Sequence, residues 1–295
     1  MFQTTCIMYS LASVWNFVLL FMLLLDTSSP LPDSQFGSGN SQPNALDKLA
    51  THGNTEDADI YRRIAFVSGN IGGGPAYVPK VPANQIDSYF VSNNLELVEF
   101  AAGFGWIPMH MSNIQVYDSR DGVEYELFNC EASKQLKVFP QLFLLRDYDY
   151  IVWFDNRYEL LVDEVIQTIQ HWNISTAMML HRRPECCGAD LEFTAAMLQP
   201  RYVQQRERIE TYMNQQIALG YPVHGEMHYQ TGFIIYNMLH TDTLTIQNMW
   251  RGHINQVGIM CQIAFYFVAQ RFTESIREYV PAWKTVRYSF VTYYD

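Results

Sequence analysis

One stretch of this chain, residues 134–160 (KQLKVFPQLFLLRDYDYIVWFDNRYEL), gathers the side chains most able to do chemistry. Asp155 closes an aromatic-rich run, 150–154, that reads as a strand. An aspartate at the carboxyl end of an apolar strand lies where open α/β sheets keep their ligand crevice. A carboxylate there suits a hard divalent cation, Mn²⁺ or Mg²⁺, that also holds a diphosphate. Asp155 is therefore a candidate catalytic, phosphate-positioning and metal-binding residue. Its neighbours Asn156 and Arg157 make a poor cage for a metal, since one carboxylate stands beside an amide and a cation. Arg157 could instead pair with phosphate through its planar fork. An aspartate here is equally the residue type that caps a following helix or turn.

Three further motifs need the same weighing. The loop 69–74, Gly69-Asn70-Ile71-Gly72-Gly73-Gly74, follows an apolar run and could bring backbone amides to a nucleotide, with Asn70 and Gly72 as donor-binding candidates. It lacks the spacing of a dinucleotide or phosphate-loop fingerprint, so a surface turn is the competing reading. His181-Arg182-Arg183 ends another apolar run and could meet phosphate or sugar hydroxyls; a solvated turn would look the same. His224 and His228 stand four apart with Glu226 between them, at the wrong offset for a zinc helix, and Pro222 and Gly225 disfavour a helix there. A single histidine completing a metal or sugar site, with Glu226 as a candidate base, is the better reading. Cys261 has no adjacent activating group and reads as a small buried residue.

The elements that must position these residues follow from hydrophobic periodicity. Strands are expected at 64–68, 87–92, 150–154, 177–180 and 232–237, with shorter ones at 95–100 and 106–109. Helices are expected at 131–143 (interrupted by Pro140), 162–172, 191–219 (broken at Pro200), 243–251 and 262–272. Strands alternating with helices mean α/β with a mixed sheet, and no internal repeat suggests a solenoid.

Composition bounds the rest. With 30 acidic against 19 basic residues, the net charge is −11, which excludes generic nucleic-acid binding. Residues 7–25 carry no charge and are long enough to span a bilayer, as a signal-anchor or a signal peptide; a buried core helix is the third option. Residues 26–60 have the composition of a flexible stem, and 61–295 form the folded domain. Asn173-Ile174-Ser175 is a glycosylation sequon compatible with a lumenal address, where Cys130, Cys186, Cys187 and Cys261 would be free to form a disulfide.

In this order, these segments resemble the glycosyltransferase-like domain of plant mucilage-related hexosyltransferases and turgor-regulation-defect proteins. The likeness runs over residues 63–279, through IAFVSGNIGGG, SYFVSNN and ASKQLKVFPQLFLLRDYDYIVWFDNRYEL, then LHRRPE, YMNQQIALGYP and CQIAFYFV. Lys137, Pro140, Trp153 and Asp155 stand at the matching positions. The resemblance implies a GT-A-like single domain with a mixed, mostly parallel sheet. It implies a type II Golgi membrane protein anchored through 7–25, a nucleotide-sugar donor and a glycan or glycoconjugate acceptor. Asp155, Glu226 and Gln262 would be catalytic; Asn70, Gly72, Lys137, Asp155, Arg157, His181 and Arg182 would bind the donor. Cys261 replaces an aspartate of the resembled pattern and Gln141 a histidine. The alternative is therefore a non-catalytic carbohydrate-binding or scaffold relative.

Overall fold

Alternation along the strands divides the core into two layers, one on each face of a central sheet. The computed structural model describes residues 63–72, 77–111, 123–172, 175–182, 188–225, 228–279, 286–288 and 291–292. All of them belong to the unit Gly53–Asp295. The expected membrane segment, the stem and Asn173 and Ile174 of the sequon lie outside the described residues, as do Glu226, Arg183, Cys186 and Cys187. Among the described residues no helix is long and apolar enough to cross a membrane.

The strands are β1 (Ile64–Asn70), β2 (Tyr77–Val78), β3 (Asp87–Ser92), β4 (Ile107–His110), β5 (Tyr150–Phe154), β6 (Tyr158–Leu160), β7 (Met178–Arg182), β8 (Tyr229–Asn237), β9 (Ile276–Glu278), β10 (Val286–Tyr288) and β11 (Val291–Thr292). Between them lie α1 (Leu95–Gly103), α2 (Val123–Val138), α3 (Val162–Gln170), α4 (Ala189–Ala196), α5 (Pro200–Val203), α6 (Arg206–Ala218), α7 (Thr241–Val257) and α8 (Cys261–Ala269). A 3₁₀ turn at Pro140–Phe143 follows α2.

Seven strands form one sheet in the order β4-β3-β1-β5-β8-β7-β9. β8 runs antiparallel to both its neighbours, and every other pairing is parallel. This is the mixed, mostly parallel α/β sheet expected from the sequence. The chain leaves β1 through β3 to β4 on one side, then returns to β5 on the other. That reversal between β1 and β5 is where an open α/β sheet leaves a crevice.

Val67, Ile151, Trp153, Ile234 and Tyr236 project to the face covered by α2, α6, α7 and α8. Phe66, Val152, Phe154, Phe233 and Ile235 project to the other face, covered by α1 and α3. α8 is buried along nearly its whole length, which explains why its sequence is apolar all round rather than amphipathic.

Two sequence expectations need correction. Residues 95–100 form the start of α1, not a strand. Asn94 caps it by accepting a hydrogen bond from the Leu97 amide at 3.3 Å, and Leu97, Val98 and Ala101 bury one helical face. The long segment 191–219 is three helices instead of one broken at Pro200, because a proline opens α5 and a second turn at Gln204 and Gln205 precedes α6.

Trp250 on α7 ties the two buried helices. It is fully buried, meets Phe265 edge-on at 4.8 Å, and its indole N–H donates to the Cys261 carbonyl at 2.8 Å. Trp250→Ala is expected to cost about 3–5 kcal/mol of stability, through the cavity and the orphaned carbonyl. A urea titration showing a loss under about 1 kcal/mol would contradict this packing role.

Candidate functional site

The site begins with how β5 ends. Asp155 stands two residues beyond Trp153, so its side chain leaves the sheet on the same face. Its amide donates to the Gly232 carbonyl at 2.8 Å, and its carbonyl accepts from the Tyr158 amide at 3.0 Å, turning the chain. A Cβ at position 232 would lie 2.9 Å from the Tyr158 ring and 3.0 Å from Asp155 Oδ2, so only glycine lets this turn sit against β8. The Ser68 hydroxyl donates to the Phe154 carbonyl at 2.9 Å and pins the ends of β1 and β5 together.

Lys137, in the last turn of α2, reaches this strand end. Its Nζ lies 3.0 Å from Asp155 Oδ1 and 5.8 Å from the centre of the Trp153 ring, and its side chain is 9 % exposed. Lys134 is one helical turn earlier on the same face of α2. Burial acts against its charge. Cys261, Tyr202, Cys130 and Asp155 together outweigh burial and hold the ammonium above the usual lysine range.

Two cavities of about 250 and 240 Å³ meet here and share Lys134, Lys137, Asp155, Arg157 and Arg201 as common wall. The first continues along β8 to the start of α8 and Glu192. The second runs to the end of β1, with Gly69, Asn70, Ile71 and Asn129. A larger hollow of about 530 Å³ lies along α6 among Arg208, Tyr212 and Gln256, with no strand end beside it. The strand-end cleft is the better candidate, because it coincides with the reversal between β1 and β5.

Of the residues singled out from sequence, Asn70, Lys137, Asp155, Arg157 and Gln262 line this cleft. Gly72 does not: its amide is used by Asn93 Oδ1 at 2.9 Å, and its φ of 116° serves the turn. His181 and Arg182 do not line it either. His181 follows Leu180 on β7 and so takes the opposite face, stacked on Phe233 at 4.8 Å and edge-on to Tyr279 at 5.4 Å. Arg182 lies 4.0 Å from Glu278. His224 is exposed beside Asp190, at 3.1 Å, whereas His228 is buried, its Nε2 3.2 Å from Gln262 Nε2.

Sequence reading missed Lys134, Arg201 and Glu192. Lys134 carried a signal in its three-residue spacing from Lys137. Arg201 follows the Pro200 break that brings α5 back to α2. Glu192 carried no signal: it arrives from α4, where its Oε2 accepts from Gln262 Nε2 at 2.9 Å and lies 3.5 Å from His228 Nε2. Cys130 and Cys261 are both free thiols on the cleft walls.

The described residues of the cleft do not fit a resident divalent cation. Such an ion takes about six oxygen ligands, several of them anionic. Here Asp155 is occupied by Lys137, with Arg157 two residues on, and Glu192 accepts from Gln262. Among the described residues no three His, Cys, Asp or Glu side chains stand together as a metal site.

No protein-family model matches the chain, and no curated protein matches it. Among solved structures it is similar to mouse xyloside xylosyltransferase 1 in its apo form. The TM-score is 0.40 and the identity 9 %, over 73 % of this chain and 85 % of that one. The functional reading therefore rests on the cleft itself.

Burial of His181 has a pH signature. Loss of solvation lowers its pKa from the usual 6.5 to about 4, partly opposed by a hydrogen bond with the Tyr279 backbone. Buried His253, which accepts or donates at 2.6 Å to the Tyr212 hydroxyl, is lowered to about 4 by the same desolvation. Both take up protons on unfolding, so the stability they confer is whole above pH 6.5 and is lost as pH falls towards 4. Each steepens the decline by up to about 1.4 kcal/mol per pH unit. Denaturant melts across that window should lose about one proton of linkage in His181→Phe; an unchanged slope would place His181 in solvent.

Proposed function

We propose that this chain is a glycosyltransferase moving a hexose from a nucleotide sugar to a glycan or glycoconjugate acceptor. One observation carries the reading. The ends of β1 and β5, at the reversal of strand order, open into a cleft walled by Lys134, Lys137, Arg157 and Arg201 within a strongly acidic chain. Such a wall suits the diphosphate of a nucleotide sugar, and the sequence resemblance over 63–279 agrees with it. The cavity by Gly69 and Asn70 would take the nucleoside, and the one by Glu192 and Gln262 the sugar and acceptor.

In this mechanism the acceptor hydroxyl forms a bond to the anomeric carbon as the carbon–oxygen bond to the diphosphate breaks. The electron pair leaves on the diphosphate, where the cations meet the developing charge. The hydroxyl proton passes to Glu192, held in place by Gln262 and beside His228. Asp155 keeps Lys137 aimed at the diphosphate. Gln262 thus acts through Glu192, and the carboxylate absent at Cys261 has a substitute in the same cavity. That substitute disfavours the reading as a non-catalytic carbohydrate-binding relative. The apolar run at 7–25, the stem-like 26–60 and the sequon support a type II, lumenal, Golgi placement of the domain at 61–295.

Nucleoside-diphosphate release by the full-length chain, across donors with and without oligosaccharide acceptors, tests the reading. Glu192→Gln should keep donor binding while slowing transfer by about 10²–10⁴-fold. Equal turnover in that variant would remove Glu192 from the chemistry. Donor binding with no turnover by the parent chain in any combination would favour the carbohydrate-binding relative.

A further inference from the structure

We propose that the four side-chain cations of this cleft take the place of a divalent ion, so that the site binds a nucleoside diphosphate without any metal. The inference rests on the transferase reading and names how that site holds its donor.

The observations are of three kinds. First, the charge is already there. Among the described residues, Lys134, Lys137, Arg157 and Arg201 line the cavities together with two carboxylates, Asp155 and Glu192. Asp155 is committed to Lys137 at 3.0 Å, and Glu192 to Gln262 at 2.9 Å. Four cations less two carboxylates leave two net positive charges among the described lining residues, matching the two negative charges of an esterified diphosphate.

Second, the geometry suits phosphate oxygens. Arg157 is exposed at the cleft wall with no ion-pair partner among the described residues, and Lys134 has no carboxylate within ion-pair distance there. Arg201 is placed by Gln199, whose Oε1 accepts from its Nη2 at 2.9 Å, and by the Tyr202 ring at 4.8 Å. Two guanidinium forks and two ammonium groups can satisfy several phosphate oxygens at once.

Third, the adjoining cavity is rich in unused donors. Asn129 is 5 % exposed, and its Nδ2 has no hydrogen-bond partner among the described residues; Asn70 Nδ2 is likewise buried and unpaired among them. A buried amide without a partner is costly, and a ligand oxygen would relieve it. A metal bound at Asp155 would have to displace Lys137 and sit beside Arg157. That exchange would add like charge to an already cationic wall.

Isothermal titration of the full-length chain with inorganic pyrophosphate, UDP and GDP, in excess EDTA and in excess Mn²⁺, tests the idea. At least one of these should bind in EDTA with a Kd within about twofold of its value in Mn²⁺, and binding should weaken with rising salt. Arg157→Gln and Arg201→Gln, both at the wall and away from the core, should each weaken it by about tenfold or more. Binding that vanishes in EDTA and returns with Mn²⁺ would overturn the metal-free site while leaving the transferase reading intact. Metal-independent binding indifferent to both arginine variants would overturn the assignment to these cations. No binding by any probe under either condition would overturn this inference and the transferase reading together.

Discussion

The ion pair between Lys137 and Asp155 is the constraint on which the rest of the cleft depends. It joins the last turn of α2 to the end of the central strand, at the point where β8 crosses them. Lys137 uses all its parts: its carbonyl accepts from the Tyr236 hydroxyl at 2.7 Å, and its ammonium lies by the indole of Trp153. Asp155 is held from its other side by Gly232. Both charges are largely out of water, so removing either would leave its partner uncompensated. The pair therefore fixes helix to sheet and also decides which charges remain for a ligand.

What remains is positive inside a molecule that is negative. The chain carries a net charge of −11 and would repel an anionic donor at a distance. Solvent ions damp that repulsion beyond about 8 Å at physiological ionic strength. Within the cleft the partly buried lysines are screened far less, so their local field would dominate for an anion that entered it. The acidic charge is spread over the chain, whereas the cationic wall is local, so a net charge of −11 is compatible with a small anion in the cleft.

The sequence made β5 and its ending legible, because Tyr150–Phe154 is an apolar run that stops at a charge. β3 was equally clear, and so was the mixed character of the sheet. Residues 95–100 were not, since LELVEF alternates as a strand would over its first residues and only Asn94, as a cap, tips it to a helix. His181 misled because a basic cluster at a strand end looks like a binding edge, whereas parity along β7 sends its ring to the far face. Glu192 and Arg201 were illegible for a different reason. They reach the cleft from helices far along the chain, and a sequence without contacts does not say which helix face will meet which strand end.

Two departures from the resembled transferase pattern gain a common physical meaning in this structure. Arg157 stands where an Asp-x-Asp pattern has its second carboxylate, and Cys261 stands where an aspartate would open α8. Arginine for aspartate shifts the local charge by two units and cysteine for aspartate by one, both towards positive. An aspartate at 261 would also sit among the groups acting on Lys134 and neutralise it, as Asp155 neutralises Lys137. Cysteine there instead is packed with its carbonyl accepting from the Trp250 indole and its thiol beside Thr231, and brings no carboxylate to Lys134. On the metal-free reading proposed above, these two residues bring at least the charge that a divalent ion would have supplied. Neither substitution acts alone, because each matters only in a cleft where Asp155 is already paired.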